Sequence, residues 1–234
     1  MPKGGKSLLR EKLLERRKRQ LYTWIGLPLV AVGGWFYPWL GFLLLGCMLG
    51  AVGLSFSRGR TWCDWMCPRG AFFDLFLSSL SAKRSTPAFF RGWPVRGFFL
   101  ILIFAVIGVQ WYFSWGNIPA MGLALVKVLT VTTLVGVLLG LTFHPRAWCL
   151  VCPMGTLANL FGRGKKPLLV ASSCAGCGVC SRFCPLGLQP HFSRQQGVMG
   201  DGDCLKCGSC VAACPRQALS FGENLPRQAG SVRL

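Results

Sequence analysis

The sequence predicts an α-helical membrane protein, four transmembrane helices forming two repeated hairpins, with a small α+β domain at its C-terminal end. Three observations lead there. Of the 234 residues 52% are hydrophobic, too many for an ordinary soluble core. The 26 Lys and Arg residues, which give a net charge of +19, gather between the apolar runs, and only Lys127 falls inside one. Eight of the 13 cysteines lie in two runs of identical spacing near the C-terminal end.

Residues 1–20 carry eight basic residues, Lys3, Lys6, Arg10, Lys12, Arg16, Arg17, Lys18 and Arg19, and are expected to form a basic cytoplasmic tail with a short helix on the membrane surface. Leu21 to Tyr37 has the look of a signal-peptide core, but no small-residue cleavage site comes after it and a second apolar run begins at once, so it reads as a retained first span. A helix crosses a bilayer with about 20 apolar residues. Four stretches approach that length within a membrane domain of residues 21–166: about 21–38, 39–56, 97–115 and 119–143. Pro28, Gly33 and Gly34 would break a soluble helix, yet a bilayer tolerates them where neighbouring helices re-satisfy the backbone. Tyr37-Pro38 and Gly116-Asn117-Ile118-Pro119 turn the two hairpins.

Charge sets the expected orientation. The tail has eight basic residues, the loop from 57 to 96 has seven and the segment from 144 onward has ten. The two outer turns have none, and Trp35, Tyr37, Trp39, Trp111, Tyr112 and Trp115 collect there as interfacial aromatics do. Both termini are therefore expected in the cytoplasm, with the protein in the inner (cytoplasmic) membrane of a bacterium. The same pattern assigns the positive charge to the membrane rather than to nucleic acid.

Each hairpin ends in the same element. The first reads Arg60-Thr-Trp62-Cys63-Asp-Trp-Met-Cys67-Pro68-Arg-Gly70 and then Asp74-Leu75-Phe76. The second reads Arg146-Ala-Trp148-Cys149-Leu-Val-Cys152-Pro153-Met-Gly155 and then Asn159-Leu160-Phe161, one residue shorter between its cysteines. Such a repeat implies a pseudo-axis, here along the membrane normal, that brings the two cysteine pairs near each other.

Residues 167–222 make the C-terminal domain, followed by a tail, 223–234. Cys174, Cys177, Cys180 and Cys184 recur 30 residues later as Cys204, Cys207, Cys210 and Cys214, each run closed by a proline, Pro185 or Pro215. This C-x2-C-x2-C-x3-C-P pattern is that of two-cluster bacterial ferredoxins, in which the fourth cysteine reaches across to the other cluster. Two 4Fe-4S clusters are thus expected, one on Cys174, Cys177, Cys180 and Cys214 and one on Cys204, Cys207, Cys210 and Cys184. Gly176, Gly178 and Gly208 suit loops that turn backbone N–H groups toward cluster sulfurs. A zinc ribbon would use four ligands from two knuckles, not eight.

Cys63, Cys67, Cys149 and Cys152 have three readings: a further metal or cluster, redox-active pairs, or buried reduced thiols. Cys47 has no partner in the pattern and is expected to pack as a small apolar residue. Lys127 either snorkels to the outer interface or serves beside a quinone. His144 either relays a proton at a quinol site or is simply interfacial. These six residues, Cys47 apart, are the candidates for any catalytic role. His191 is expected to be a loop residue. A C-x-x-C-H haem site and a glycine-rich dinucleotide fingerprint are both missing from the sequence, so electrons must travel through quinone, clusters or protein partners.

Two hairpins each ending in a Cys-Pro element, with paired ferredoxin runs after them, resemble the NapH family of ferredoxin-type membrane quinol dehydrogenases, with related arrangements in the NosR and CcoG families. The family's elements are C-x3-C-P, which Cys63 to Pro68 matches, whereas Cys149 to Pro153 is C-x2-C-P. The resemblance implies oxidation of a membrane quinol and delivery of its electrons to a partner iron-sulfur or cytochrome protein of a terminal reductase system. The rival expectations are a CcoG-like copper reductase or oxidase-assembly factor, and a non-enzymatic redox sensor.

Overall fold

Leu, Glu, Lys and Arg, all strong helix formers, dominate residues 8–19, and the chain begins as one helix, α1, Lys3–Thr23. The computed structural model describes residues 3–82, 84 and 86–222, so the expected tail 223–234 lies outside the described residues. Leu9 and Leu13, one turn apart, pack α1 against Val179, Phe183, Ala212 and Ala213 of the C-terminal domain. The basic N-terminal helix is therefore braced against that domain along its leucine side.

The stretch from 21 to 38 is not one helix. Pro28 has no N–H to offer the Trp24 carbonyl, which instead accepts from the Leu27 N–H at 3.0 Å, and the helix breaks there. The chain resumes as α2, Gly26–Ala31, and α3, Gly33–Phe36, the second starting on a glycine pair that holds a helix poorly. A 3-10 turn, Pro38–Gly41, then leads into α4, Phe42–Arg58. Among the described residues three helical stretches are long and apolar enough to cross a membrane: Pro38–Leu80, Trp93–Phe113 and Ile118–Thr142. The expected first span is not one of them.

After α4 the chain forms α5, Trp62–Trp65, and α6, Pro68–Phe72, then a π-helical turn at Phe73–Leu77 and α7, Ser78–Leu80. The long α8, Trp93–Phe113, and α9, Ile118–Thr142, make the second hairpin. Asn117 caps α9 by accepting from the Ala120 N–H at 3.2 Å. Beyond α9 lie α10, Trp148–Val151, and α11, Pro153–Phe161. Thus α4-α5-α6 and α9-α10-α11 repeat one motif: a long apolar helix, a turn of helix bearing the first cysteine, and a second cysteine whose adjoining proline opens the next helix. The two hairpins meet at glycines. A Cβ on Gly122 would stand 2.2 Å from the Pro38 carbonyl oxygen, the close approach small residues allow between membrane helices.

The C-terminal domain has a three-stranded antiparallel sheet in the order β2-β1-β3, with β1 Leu168–Val170, β2 Val198–Met199 and β3 Leu219–Phe221. Leu168 faces Met199 on one side and Phe221 on the other, and Val170 faces Leu219. Leu168 and Val170 point into the core as period-2 alternation requires. Two short helices, α12 Val179–Arg182 and α13 Ser209–Ala213, complete the domain.

Candidate metal centres

The internal repeat of the C-terminal domain extends to its backbone. Gly178 and Gly208, 30 residues apart, both turn left-handed, at φ 72° and 76°, immediately before α12 and α13. Two further left-handed pairs share that spacing: Gly176 with Lys206, and Gly187 with Gln217. In each of these two pairs the second copy puts an ordinary side chain where the first has glycine. These turns curl each loop so that its thiols converge.

They converge crosswise. Cys174, Cys177, Cys180 and Cys214 line one cavity of about 190 Å³, together with His191 and Arg216. Cys184, Cys204, Cys207 and Cys210 line another, tighter at about 20 Å³, closed in by Leu186, Leu188, Leu205 and Met199. Each cavity takes three thiols from one run and the fourth from the other, and neither is lined by a carboxylate. Among the described residues no three His, Cys, Asp or Glu side chains come together as ligands of a single ion would. Four thiols spread around a small apolar space suit a multi-atom iron-sulfur cluster better than one hard cation. Burial pushes the Cys184 thiol up to about 11 against backbone hydrogen bonds from Leu186 and Leu188, and it also raises Cys180, Cys204 and Cys210. Ligation would therefore release protons.

The two loops face different surroundings. Residues 171–173 and 175–177 are exposed, Cys177 among them, whereas Asp203, Cys204 and Leu205 are buried. The membrane repeat covers the second loop. A Cβ on Gly202 would meet Asn159 Oδ1 at 2.1 Å. Asp203 accepts from Arg60 Nη1 at 2.6 Å, from Arg96 Nη1 at 3.1 Å and from Asn159 Nδ2 at 2.9 Å. Burial alone would raise the Asp203 carboxyl, but Arg60 and Arg96, with Asn159, hold it below the usual carboxylate range. One apolar core runs through the junction, from Cys63 and Leu150 to Leu168, Cys204, Leu205 and Cys210.

Cys63, Cys67, Cys149 and Cys152 line a single cavity of about 250 Å³ with Trp62, Trp148, Arg60 and Arg69, and its far wall is built from Leu27, Leu44, Ile107 and Leu129. The two Cys-Pro elements brace each other crosswise. Arg60 of the first donates through Nη2 to the Cys149 carbonyl of the second, and Arg146 of the second donates through Nη1 to the Cys63 carbonyl of the first at 2.5 Å. Each guanidinium is fully buried and neutralised behind the brace, Arg60 by Asp203 and Arg146 by Asp74 at 2.7 Å. Asp74 also takes Arg16 Nη2 at 2.6 Å and Gln20 Nε2 at 2.8 Å, and Arg16 reaches Asp64 at 2.5 Å, so α1 is tied into the same network.

Cys47, expected to be a plain apolar filler, lines this cavity as well. Lys127 is exposed on α9 and lines none of the cavities described. His144 lines a separate cavity of about 1150 Å³ with Arg16, Arg17, Arg91 and Asp201, which shares no lining residue with that of the membrane thiols. His191 is more than a loop residue. Its Nδ1 sits 3.1 Å from Ser181 Oγ and 3.9 Å from Cys180 Sγ, at the wall of the Cys174 cavity. In the sequence Arg60 and Arg146 stand out only as letters of the repeat, without a role, and Asp203 does not stand out at all.

The family described as 4Fe-4S binding domain matches residues 40–87 and again 126–170, and the one described as 4Fe-4S dicluster domain matches residues 166–215. The first pair of matches covers both Cys-Pro elements. An uncharacterized protein of Methanocaldococcus jannaschii, MJ0749, is 30% identical over 73% of this chain and 68% of its own length. The putative electron transport protein YccM of Escherichia coli is 24% identical over 74% of this chain and 54% of its own. The methylamine utilization ferredoxin-type protein MauN of Methylobacillus flagellatus is 30% identical over 63% of this chain and 55% of its own. This chain thus spans little more than half the length of the last two. No solved structure matches it.

Proposed function

The chain belongs to a family of 4Fe-4S ferredoxin-type electron-transfer proteins, and we propose that it is a NapH-like member that takes electrons from a membrane quinol and passes them to a partner iron-sulfur or cytochrome protein. The observation that carries this reading is the placement of the two thiol sets. One is buried against the membrane repeat and the other lies under an exposed loop, so the domain has a membrane side and a solvent side.

Cys174, Cys177, Cys180 and Cys214 would hold one cluster, and Cys204, Cys207, Cys210 and Cys184 the other. Bound there, the clusters supply one-electron carriers whose potentials depend on burial and hydrogen bonding. The rest is done by the chain itself. Arg60, Arg96 and Asn159 fix the Asp203 loop on the membrane repeat. The exposed residues 171–173 and 175–177, with the exposed Arg216 beside them, offer a face for an acidic redox partner. The wall of Leu27, Leu44, Ile107 and Leu129 gives an apolar donor a route from the spans to the membrane thiols. In this reading residues 21–166 lie in the inner membrane, with the stretch 21–38 crossing as broken helix and both termini in the cytoplasm, as the basic segments favour.

The test is anaerobic purification in detergent with EPR spectra taken after a reduced quinol analogue and, separately, after dithionite. Cluster signals appearing with the quinol support the proposal. Signals that only dithionite elicits would remove quinol as the donor while leaving the clusters in place.

A further inference from the structure

We propose that Cys63, Cys67, Cys149 and Cys152 together hold one additional iron-sulfur cluster, shared between the two copies of the membrane repeat. This deepens the electron-transfer reading by adding a centre on the membrane side, but its geometry stands without the identity of the donor.

Each Cys-Pro element supplies two thiols, and an all-cysteine iron-sulfur cluster takes four. Neither copy is sufficient alone. The fold puts all four thiols around one cavity, and its volume of about 250 Å³ exceeds that of the cavity bounded by Cys174, Cys177, Cys180 and Cys214, about 190 Å³. No carboxylate lines it. As in the other two sites, the thiols do not close on a point as ligands of a lone copper or zinc ion would.

The two pairs are held facing each other by the crossed arginines. Arg60 grips the backbone of Cys149, and Arg146 grips that of Cys63. The glycines three residues after the second cysteine of each element make room for this. A Cβ on Gly155 would stand 2.5 Å from Arg60 Nη2 and 2.8 Å from the Cys149 carbonyl, and one on Gly70 would stand 3.3 Å from the Cys63 carbonyl and 3.4 Å from Arg146. The same four letters, Arg, Cys, Cys and Gly, thus recur because each half builds the other's ligand frame. Cys63 belongs to the same apolar core as Cys204 and Cys210, which places the shared site beside the membrane-side cluster of the C-terminal domain.

The experiment measures iron and acid-labile sulfide per chain in anaerobically purified protein, for the wild type and for Cys63→Ser, Cys149→Ser and, as a control, Cys177→Ser. The wild type should hold about twelve irons, and each membrane-thiol variant about eight, with the EPR signals of the C-terminal domain unchanged. In the native wild-type protein the four membrane thiols should resist alkylation until a chelator strips the iron, a readout that needs no variant to fold. About eight irons in the wild type with membrane thiols that alkylate freely, or that form disulfides on oxidation, would overturn the proposal in favour of free or redox-paired thiols, and copper at these thiols would do so too. Iron well below eight with the Cys177→Ser control unchanged would instead strike the two-cluster reading itself.

Discussion

Arg60 Nη1 lies 2.6 Å from Asp203 Oδ1, both side chains almost wholly out of water, and this pair joins the membrane repeat to the C-terminal domain across 143 positions of sequence. The other terminal nitrogen of Arg60 grips the Cys149 carbonyl. One guanidinium therefore fixes the membrane thiols and the loop of Cys204 relative to each other. A charge buried so deeply is tolerable only while its partner is present.

Asp203→Ala should therefore cost about 3–5 kcal/mol and expose the junction to protease. Because Arg60 and Arg96 hold the Asp203 carboxyl low in the folded protein, its stabilisation is fully present above the unfolded value of about 4 and is lost only as pH falls through the folded one. Thermal unfolding of the wild type in detergent should thus show no pH dependence from this group between about pH 6 and about pH 8, where its stabilisation is full and constant. A variant as stable as the wild type at neutral pH would show that the pair does not hold the domain.

The thiols of the cluster-free protein should differ in reactivity by burial. Cys177 is exposed, while Cys184, raised to about 11, is almost all thiol at neutral pH. Only the thiolate reacts, so alkylation of Cys184 should quicken about tenfold per pH unit from about pH 7 to about pH 10. Mass spectrometry of iodoacetamide-treated apoprotein reads this directly. A Cys184 rate that is flat with pH would contradict the raised value.

Legibility in the sequence was local. The cysteine runs and their 30-residue repeat are visible because ligand spacing is written along the chain, and the cavities group the thiols in the same crossed sets. The arginine braces were not visible, since Arg60 and Cys149 are 89 positions apart and Arg146 and Cys63 are 83 apart. In residues 1–20 the eight basic residues dominated the reading, and the packing of Leu9 and Leu13 on the C-terminal domain left no mark in it. For residues 21–38 a sum of hydropathy registered the apolar side chains and missed the carbonyl that Pro28 leaves without its donor. The left-handed turns at Lys206 and Gln217 carried no signal at all, because neither side chain marks such a turn.

That blind spot can be tested at Gln217. The residue is exposed and holds φ 50°, where its repeat mate Gly187 holds φ 64°. An L residue pays about 1–2 kcal/mol for this conformation, part of which glycine gives back through its freer unfolded chain. Gln217→Gly should therefore stabilise the protein by roughly 0.5 kcal/mol, seen as a higher unfolding midpoint with unchanged iron content. An equal or lower midpoint would mean that contacts of the glutamine compensate for the backbone.

His191 separates the two sites of the C-terminal domain in a measurable way, because only the Cys174 cavity has a histidine in its wall. With the proton on Nδ1, the ring donates toward Cys180 Sγ at 3.9 Å and Ser181 Oγ at 3.1 Å. A donor near a ligating sulfur stabilises the more negative, reduced state and raises the potential. His191→Leu removes that donor and keeps an apolar wall, so the potential of one cluster should fall by about 40 mV, the equivalent of one hydrogen bond of ~1 kcal/mol on a one-electron couple. EPR-monitored redox titration of the variant should show one midpoint moved and the other in place. A shift in both would point to a general loosening of the domain, and a shift in neither would leave His191 with packing against Phe192 as its role.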